Sequence, residues 1–254
     1  MYSEAINKIS NAAESKRDLL RNNKAGYLVS SALAGIYVGI SIILIFTLGG
    51  NLASVNSPYV KLVMGISFSV GLSLVMMAGA ELFTGNNMVM TIGTLNKKTT
   101  WKDTLSIWGF SFLGNLIGSI LLALIFTNTG LTKGAVGKFI LQTAEIKMTL
   151  PPMELFLRGV LCNILVCLAV WCSLKMKEES GKLIMIFWCL FAFISSGFEH
   201  SVANMSLFSI ALFIPHGGGI AINGMAYNLI FVTLGNIIGG ALFVGVAYYK
   251  ISKK

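Results

Sequence analysis

The sequence predicts an all-α membrane protein with six transmembrane helices, two of them broken at mid-bilayer, arranged as an inverted three-plus-three repeat. Three observations carry this. Apolar runs of roughly 20 residues or more recur along the chain, the length needed to cross a hydrocarbon core about 30 Å thick. Charged residues make up only 11% of the 254 residues, against 55% hydrophobic, whereas soluble domains carry about 25% charge. Short motifs also recur in the same order in the two halves.

The spans fall near 26–50, 59–95 (broken around 82–86), 104–127, 153–174, 183–214 (broken around 199–201) and 224–249. The chain divides into an N-terminal amphipathic helix at 1–25, a first repeat at 26–127, a connection at 128–152, a second repeat at 153–249 and a tail at 250–254. The first segment holds Lys8, Glu14, Lys16, Arg17, Asp18, Arg21 and Lys24 and has no short apolar region with a cleavage site, so no cleaved signal peptide is expected. Its apolar residues Ile6, Ile9, Ala13, Leu19 and Leu20 share a helical face. Two readings fit: a gate at the inner mouth, or a helix lying on the membrane surface.

With the N-terminus inside, fourteen basic residues lie on the inner side and five on the outer, as the positive-inside rule requires. The expectation is a multi-pass protein of the cell membrane with both termini cytoplasmic and a connection at 128–152 that is extracellular. The net charge of +9 is thus explained by topology, and no nucleic-acid partner is expected.

Span three reads Leu113-Gly114-Asn115-Leu116-Ile117-Gly118 and span six Leu234-Gly235-Asn236-Ile237-Ile238-Gly239. Spans one and four share Leu33-Ala34-Gly35 and Leu157-Arg158-Gly159. Spans two and five each carry an acid before the break, Glu81 and Glu199, and an Asn-Met pair after it, Asn87-Met88 and Asn204-Met205. Each half crosses the membrane an odd number of times, so the halves must point in opposite directions, with a solute path expected between them.

At the first break, Glu81-Leu82-Phe83-Thr84-Gly85-Asn86-Asn87 replaces helix formers with Gly, Thr and Asn. Irregular backbone at that depth is tolerated only under protein or along a wet cavity. Glu81 and Glu199 are the only acids deep in apolar runs, where charge is costly. Proton handling is one reading; the favoured one is structural, each carboxylate accepting from unwound N–H groups and capping the next half-helix. His200, in Phe198-Glu199-His200-Ser201, is the titratable donor at the second break, opposite Thr84. His216, in a Gly-rich outer loop, is expected to be solvated. Asn163 either contacts solute or hydrogen-bonds across helices. Lys147 either draws anions into a vestibule or is an ordinary surface lysine.

No metal-site, phosphate-loop or nucleophile-elbow signature is present. The four cysteines, Cys162, Cys167, Cys172 and Cys189, lie in apolar runs and read as small core residues. No cofactor is expected. Ser201 beside His200 is the one nucleophile–base candidate, and chain neighbours rarely meet in that geometry, so an enzyme is not expected.

The segment Met76 to Gly85, the segment Gly159 to Ala169 and the Phe198-Glu199-His200-Ser201-Val202-Ala203-Asn204 stretch resemble the formate/nitrite transporter family over nearly the whole chain. The resemblance implies an aquaporin-like fold, a homopentamer and one pore per protomer for a small anion: hydrosulfide, formate or nitrite. The sequence is most similar to the hydrosulfide branch. By resemblance, His200 and Thr84 stand at the pore centre with Asn163 beside them. Leu82 and Phe83 match an inner constriction, Phe68, Leu72 and Phe193 an outer one, and Lys147 a vestibule lysine. On this reading His200 and Thr84 supply donors between apolar rings, and a proton lent by His200 lets the solute cross as a neutral acid. The rival is a neutral-solute channel of the aquaporin type, but none of Pro58, Pro151, Pro152 and Pro215 lies in an Asn-Pro-Ala turn.

Overall fold

The computed structural model describes residues 2–253. It is helical throughout, with no strand among the described residues. Helix α1 (Tyr2–Asn22) buries Ile6, Ile9, Ala13 and Leu20 against the rest of the chain, while Leu19 stays 39% exposed. Its apolar face is therefore used up within the protein and is not laid on lipid. Asn23 ends α1 and caps α2 (Lys24–Ala53), its side chain accepting from the Gly26 amide at 2.8 Å.

Helix α3 (Val60–Leu74) runs into a π-helical turn, Val75–Gly79. After three non-helical residues the half-helix α4 (Phe83–Leu95) begins. The break thus lies at Ala80–Leu82, ahead of the expected 82–86, and Thr84, Gly85 and Asn86 are already helical. The helix restarts as soon as a neighbouring side chain takes the Phe83 amide, and that side chain lies far off in sequence.

Thr100 and Asp103 form a capping box at the start of α5 (Trp101–Asn128). The connection at 128–152 is itself largely helical, as α6 (Ala135–Thr149). Helix α7 (Pro152–Lys175) follows, with proline at its first turn. Helices α8 (Glu179–Ser195) and α9 (Ser201–Phe213) flank the second break, and α10 (Ile222–Ile237) continues through a π-helical stretch, Ile238–Val246, into α11 (Ala247–Ser252).

Five helical stretches are long and apolar enough to cross a membrane: Lys24–Ala53, Val60–Gly79, Trp101–Asn128, Pro152–Lys175 and Ile222–Ser252. The chain is a multi-pass membrane protein. Helices α4 and α9 are different. Every residue from Phe83 to Gly93 and from Ser201 to Ala211 is buried, so these half-helices are wrapped by the other helices, as broken backbone in a membrane requires.

Close approach of backbones makes the wrapping possible. A Cβ on Gly118 of α5 would overlap the Ala32 carbonyl of α2, and one on Gly239 after α10 would overlap the Val160 carbonyl of α7. Helix α2 starts beside α1 and ends beside α6, where Gly50 meets Val136, so α1 and α6 lie on opposite faces. Tyr249 of α11 donates to the Leu95 carbonyl at 2.6 Å and Tyr248 stacks on Trp171 at 4.0 Å, which ties the C-terminus to the α1 face.

Candidate functional site

Each break opens with a glycine held at positive φ. Gly79 (φ 81°) and Gly197 (φ 76°) both stand two residues before a glutamate, and no atom lies within 4 Å of where a Cβ would be. The backbone conformation, not space, demands glycine there.

An asparagine from a distant helix closes each break. Asn115 of α5 accepts from the Phe83 amide at 2.9 Å and donates to the carbonyls of Ser31 (2.7 Å) and Glu81 (2.9 Å). Asn236 of α10 accepts from the Ser201 amide at 2.9 Å and donates to Gly159 (2.8 Å) and Glu199 (3.0 Å). This corrects the expectation that Glu81 and Glu199 cap the half-helices. A carboxylate only accepts, whereas an amide side chain accepts from the free N–H of the break and donates both to the break's own carbonyl and to one of the adjoining helix.

The two carboxylates turn instead to lysines. Lys16 of α1 donates to Glu81 Oε1 at 2.7 Å, and Tyr27 and Asn86 donate to Oε2 at 3.0 and 3.1 Å. Lys147 of α6 donates to Glu199 Oε1 at 2.6 Å, and Asn204 donates to Oε2 at 2.6 Å. The Lys147 side chain is only 20% exposed, so it is no ordinary surface lysine. Lys16 was not singled out by sequence; it performs the same contact from the other face.

Two cavities approach each other between these breaks. One, of about 360 Å³, opens beside α6 and is lined by Lys147, Phe193, His200 and Asn204 among others. The second, of about 160 Å³, lies beside α1 and is lined by Lys16, Leu72, Leu82 and Asn86 among others. A void of about 10 Å³ separates them; Phe193 and His200 border both it and the first cavity, Leu72 and Leu82 both it and the second. The void is thus no larger than the roughly 10–15 Å³ that one water requires. Seven of its eight lining residues are apolar, and His200 is the eighth.

His200 is held at both nitrogens. The Ala203 amide donates to Nδ1 at 3.1 Å, which puts the proton of the neutral ring on Nε2, and Nε2 lies 3.0 Å from Thr84 Oγ1. The imidazole also stacks near Phe193, centroids 6.0 Å apart, and Phe193 meets Phe68 edge-on at 5.3 Å.

The formate/nitrite transporter profile matches residues 3–250. The chain belongs to the formate/nitrite transporter family. It is 44% identical over 256 residues to the nitrite transporter NirC of Escherichia coli (strain K12), covering 100% of this chain and 94% of that protein. Among solved structures, an FNT family ion channel superposes with a TM-score of 0.92 at 41% identity, over 98% of this chain and 99% of that one. A pentameric formate channel with formate bound superposes with a TM-score of 0.79 at 32% identity, over 90% and 97%.

Within this formate/nitrite transporter fold, the expected pore residues are distributed unevenly about these three spaces. Phe83 borders neither cavity nor the void but packs edge-on against Phe112 at 5.3 Å. Its backbone amide is what the break uses. Leu72, expected at the outer constriction, shares with Leu82 the wall between the void and the α1 cavity. Thr84 lines none of the three spaces and meets the His200 ring instead. Asn163 is fully buried, with the Thr84 carbonyl (3.2 Å), Asn87 Oδ1 (3.0 Å) and the Asn236 carbonyl (2.6 Å) sharing the two hydrogens of its Nδ2, so it bonds across helices.

The correspondence between the two breaks also differs from the expected one. Asn115 and Asn236 select the carbonyls of Ser31 and Gly159, which aligns Gly35 with Asn163 and not with Gly159. Asn86 and Asn204, each five residues after a glutamate, are the matched pair. The signal was present in sequence as Gly79-x-Glu81-(x)4-Asn86 and Gly197-x-Glu199-(x)4-Asn204. Among the described residues His216 bonds only to the Gly217 carbonyl, away from the site, whereas the free Cys167 thiol donates to the Thr84 carbonyl at 3.3 Å. Among the described residues no three His, Cys, Asp or Glu side chains gather to hold a metal.

Proposed function

We propose that this chain is a channel for small monovalent anions of weak acids, with one path per protomer through the void between His200 and Leu82. The observation that carries this reading is the pair of cavities on opposite faces ending at one shared void. On this reading α8 and α9 together make the sixth crossing, the halves form an inverted repeat, and the basic α1 face is cytoplasmic in the plasma membrane. The protomers form a homopentamer, in line with the pentameric channel that superposes on the chain.

A void this small and apolar admits no hydrated ion, and stripping water from a lone anion costs several kcal/mol. The conjugate bases of weak acids escape that cost by crossing as the neutral acid. His200 Nε2–H, shared with Thr84, is the donor that meets the solute inside the void. A neutral ring that lent this proton would be left as a buried imidazolate, so the solute takes its proton from water in a cavity before entering. Lys147 and Lys16 hold the anion in those cavities. Their partners Glu199 and Glu81 act as structural counter-ions.

Nitrite is the first candidate solute, because the 44%-identical relative is named a nitrite transporter. Formate follows from the formate-bound neighbour, and hydrosulfide remains the candidate that the sequence resemblance favours. The test is flux into liposomes of nitrite, formate, hydrosulfide, chloride and glycerol, side by side. The expected result is passage of weak-acid anions with one proton each and exclusion of chloride. Chloride flux equal to that of nitrite rules out the neutral-acid route, and glycerol passage with no anion flux makes this a neutral-solute channel.

A further inference from the structure

A second cavity of about 320 Å³ on the α1 face lies apart from the conduction path. It is formed where α1, the start of α2 and the start of α5 meet, and its rim carries Arg17, Arg21, Lys24 and Lys102 against one acid, Asp103. Arg21 donates to Asp103 at 2.7 Å. Arg17 is committed to Asp18, Glu14 and the Lys98 carbonyl. Lys24 and Lys102 have no ion-pair partner among the described residues. Both stand in the first turn of long apolar helices, the depth at which lipid headgroups lie, and both helix starts favour negative charge.

The floor of this cavity is apolar, with Ile107 and Phe110 of α5. From Phe110 the same face of α5 continues through Leu113, Ile120 and Leu124, which are 49%, 37% and 50% exposed. Trp101, 54% exposed beside the rim, is the residue type that anchors at the headgroup level. A basic pocket set above an apolar helical track matches an anionic headgroup with acyl chains below it.

We propose that this cavity binds the phosphate of an anionic phospholipid, with Lys24 and Lys102 as its free cations and the α5 track as the seat of an acyl chain. The lipid ties α1 to α2 and α5 at the face where Lys16 enters the path. A free phosphate shares the headgroup's charge but gains nothing from the apolar track.

The test uses the full-length protein in neutral detergent, titrated with phosphatidylglycerol, phosphatidylcholine or inorganic phosphate. Bound lipid is counted by native mass spectrometry and thermal unfolding is followed in parallel. Phosphatidylglycerol is expected to bind and raise the unfolding temperature, with phosphatidylcholine and phosphate inactive. The double variant Lys24→Gln/Lys102→Gln is expected to bind phosphatidylglycerol roughly 30-fold more weakly. Lys177→Gln/Lys182→Gln, on the same face but outside the cavity, is expected to bind as wild type. Equal binding of phosphatidylcholine, displacement of the lipid by millimolar phosphate, or wild-type affinity in the Lys24/Lys102 variant each overturns the proposal.

Discussion

Leu82 and His200 occupy the same place at the two helix breaks. Each is the extended residue that follows a lysine-bound glutamate and precedes a buried half-helix, and both border the central void. One break therefore presents a purely apolar side chain to the void and the other an imidazole. The polar asymmetry of the void resides in that pair.

His200→Leu makes the two breaks alike and removes the one polar group lining the void. Loss of a single hydrogen bond of about 1 kcal/mol or somewhat more corresponds to roughly tenfold slower flux. Proteoliposome uptake of nitrite and formate over a pH series measures it. His200→Asn keeps a donor and is expected to retain more flux than the leucine variant. Unchanged flux and pH dependence in both variants removes His200 from the mechanism.

Lys147→Met leaves Glu199, whose side chain is 2% exposed, without its counter-ion. Breaking such a buried pair costs about 3–5 kcal/mol, read as a lower thermal unfolding temperature. Adding Glu199→Gln removes the orphaned charge and is expected to restore most of the stability. The double variant should still conduct more slowly at low salt, and its flux should lose its salt dependence. Wild-type salt dependence in that variant would show that Lys147 is structural only.

Asn236→Leu leaves the Ser201 amide and the Glu199 carbonyl without partners inside the membrane, while the Gly159 carbonyl keeps its helical bond within α7. At about 1–3 kcal/mol for each orphaned group, the loss is about 2 kcal/mol or more. Asn115→Leu is expected to do the same at the other break. Unfolding temperatures in detergent close to wild type for both variants would contradict the three-bond closure of the breaks.

Gly197→Ala meets no atom but forces a side chain onto a positive-φ residue, at about 1–2 kcal/mol. Gly109, inside α5, is equally open but has no positive φ, so Gly109→Ala is expected to be neutral or to stabilise by up to about 1 kcal/mol. The opposite signs of the two unfolding shifts check that conformation is what selects glycine at the breaks.

Much of this architecture is written in the chain order of residue types. Apolar runs dictate helices that cross lipid, and Gly79 and Gly197 stand at positive φ where two of those runs break, whereas Thr84, Gly85 and Asn86, expected at the first break, are helical. The acids at 81 and 199, the histidine and the Leu-Gly-Asn motifs mark the site before any fold is known. What those residues do was decided elsewhere. The motif asparagines, not the acids, close the breaks, because only an amide can serve an N–H and two carbonyls at once, and Asn115 comes to lie against Phe83 only when α5 crosses α2. Leu72 and Phe83 differ in place although both are apolar residues near one break: Leu72 borders the void, whereas Phe83 packs away from it against Phe112. Lys16 and Lys147 sit in segments that look like a tail and a connection, and only folding brings them, 65 and 52 residues from their partners, onto the two buried glutamates. Hydropathy acts on residues close in sequence and so can be read along the chain. Hydrogen bonds and ion pairs act between atoms about 3 Å apart in space, and the tertiary fold alone chooses which atoms those are.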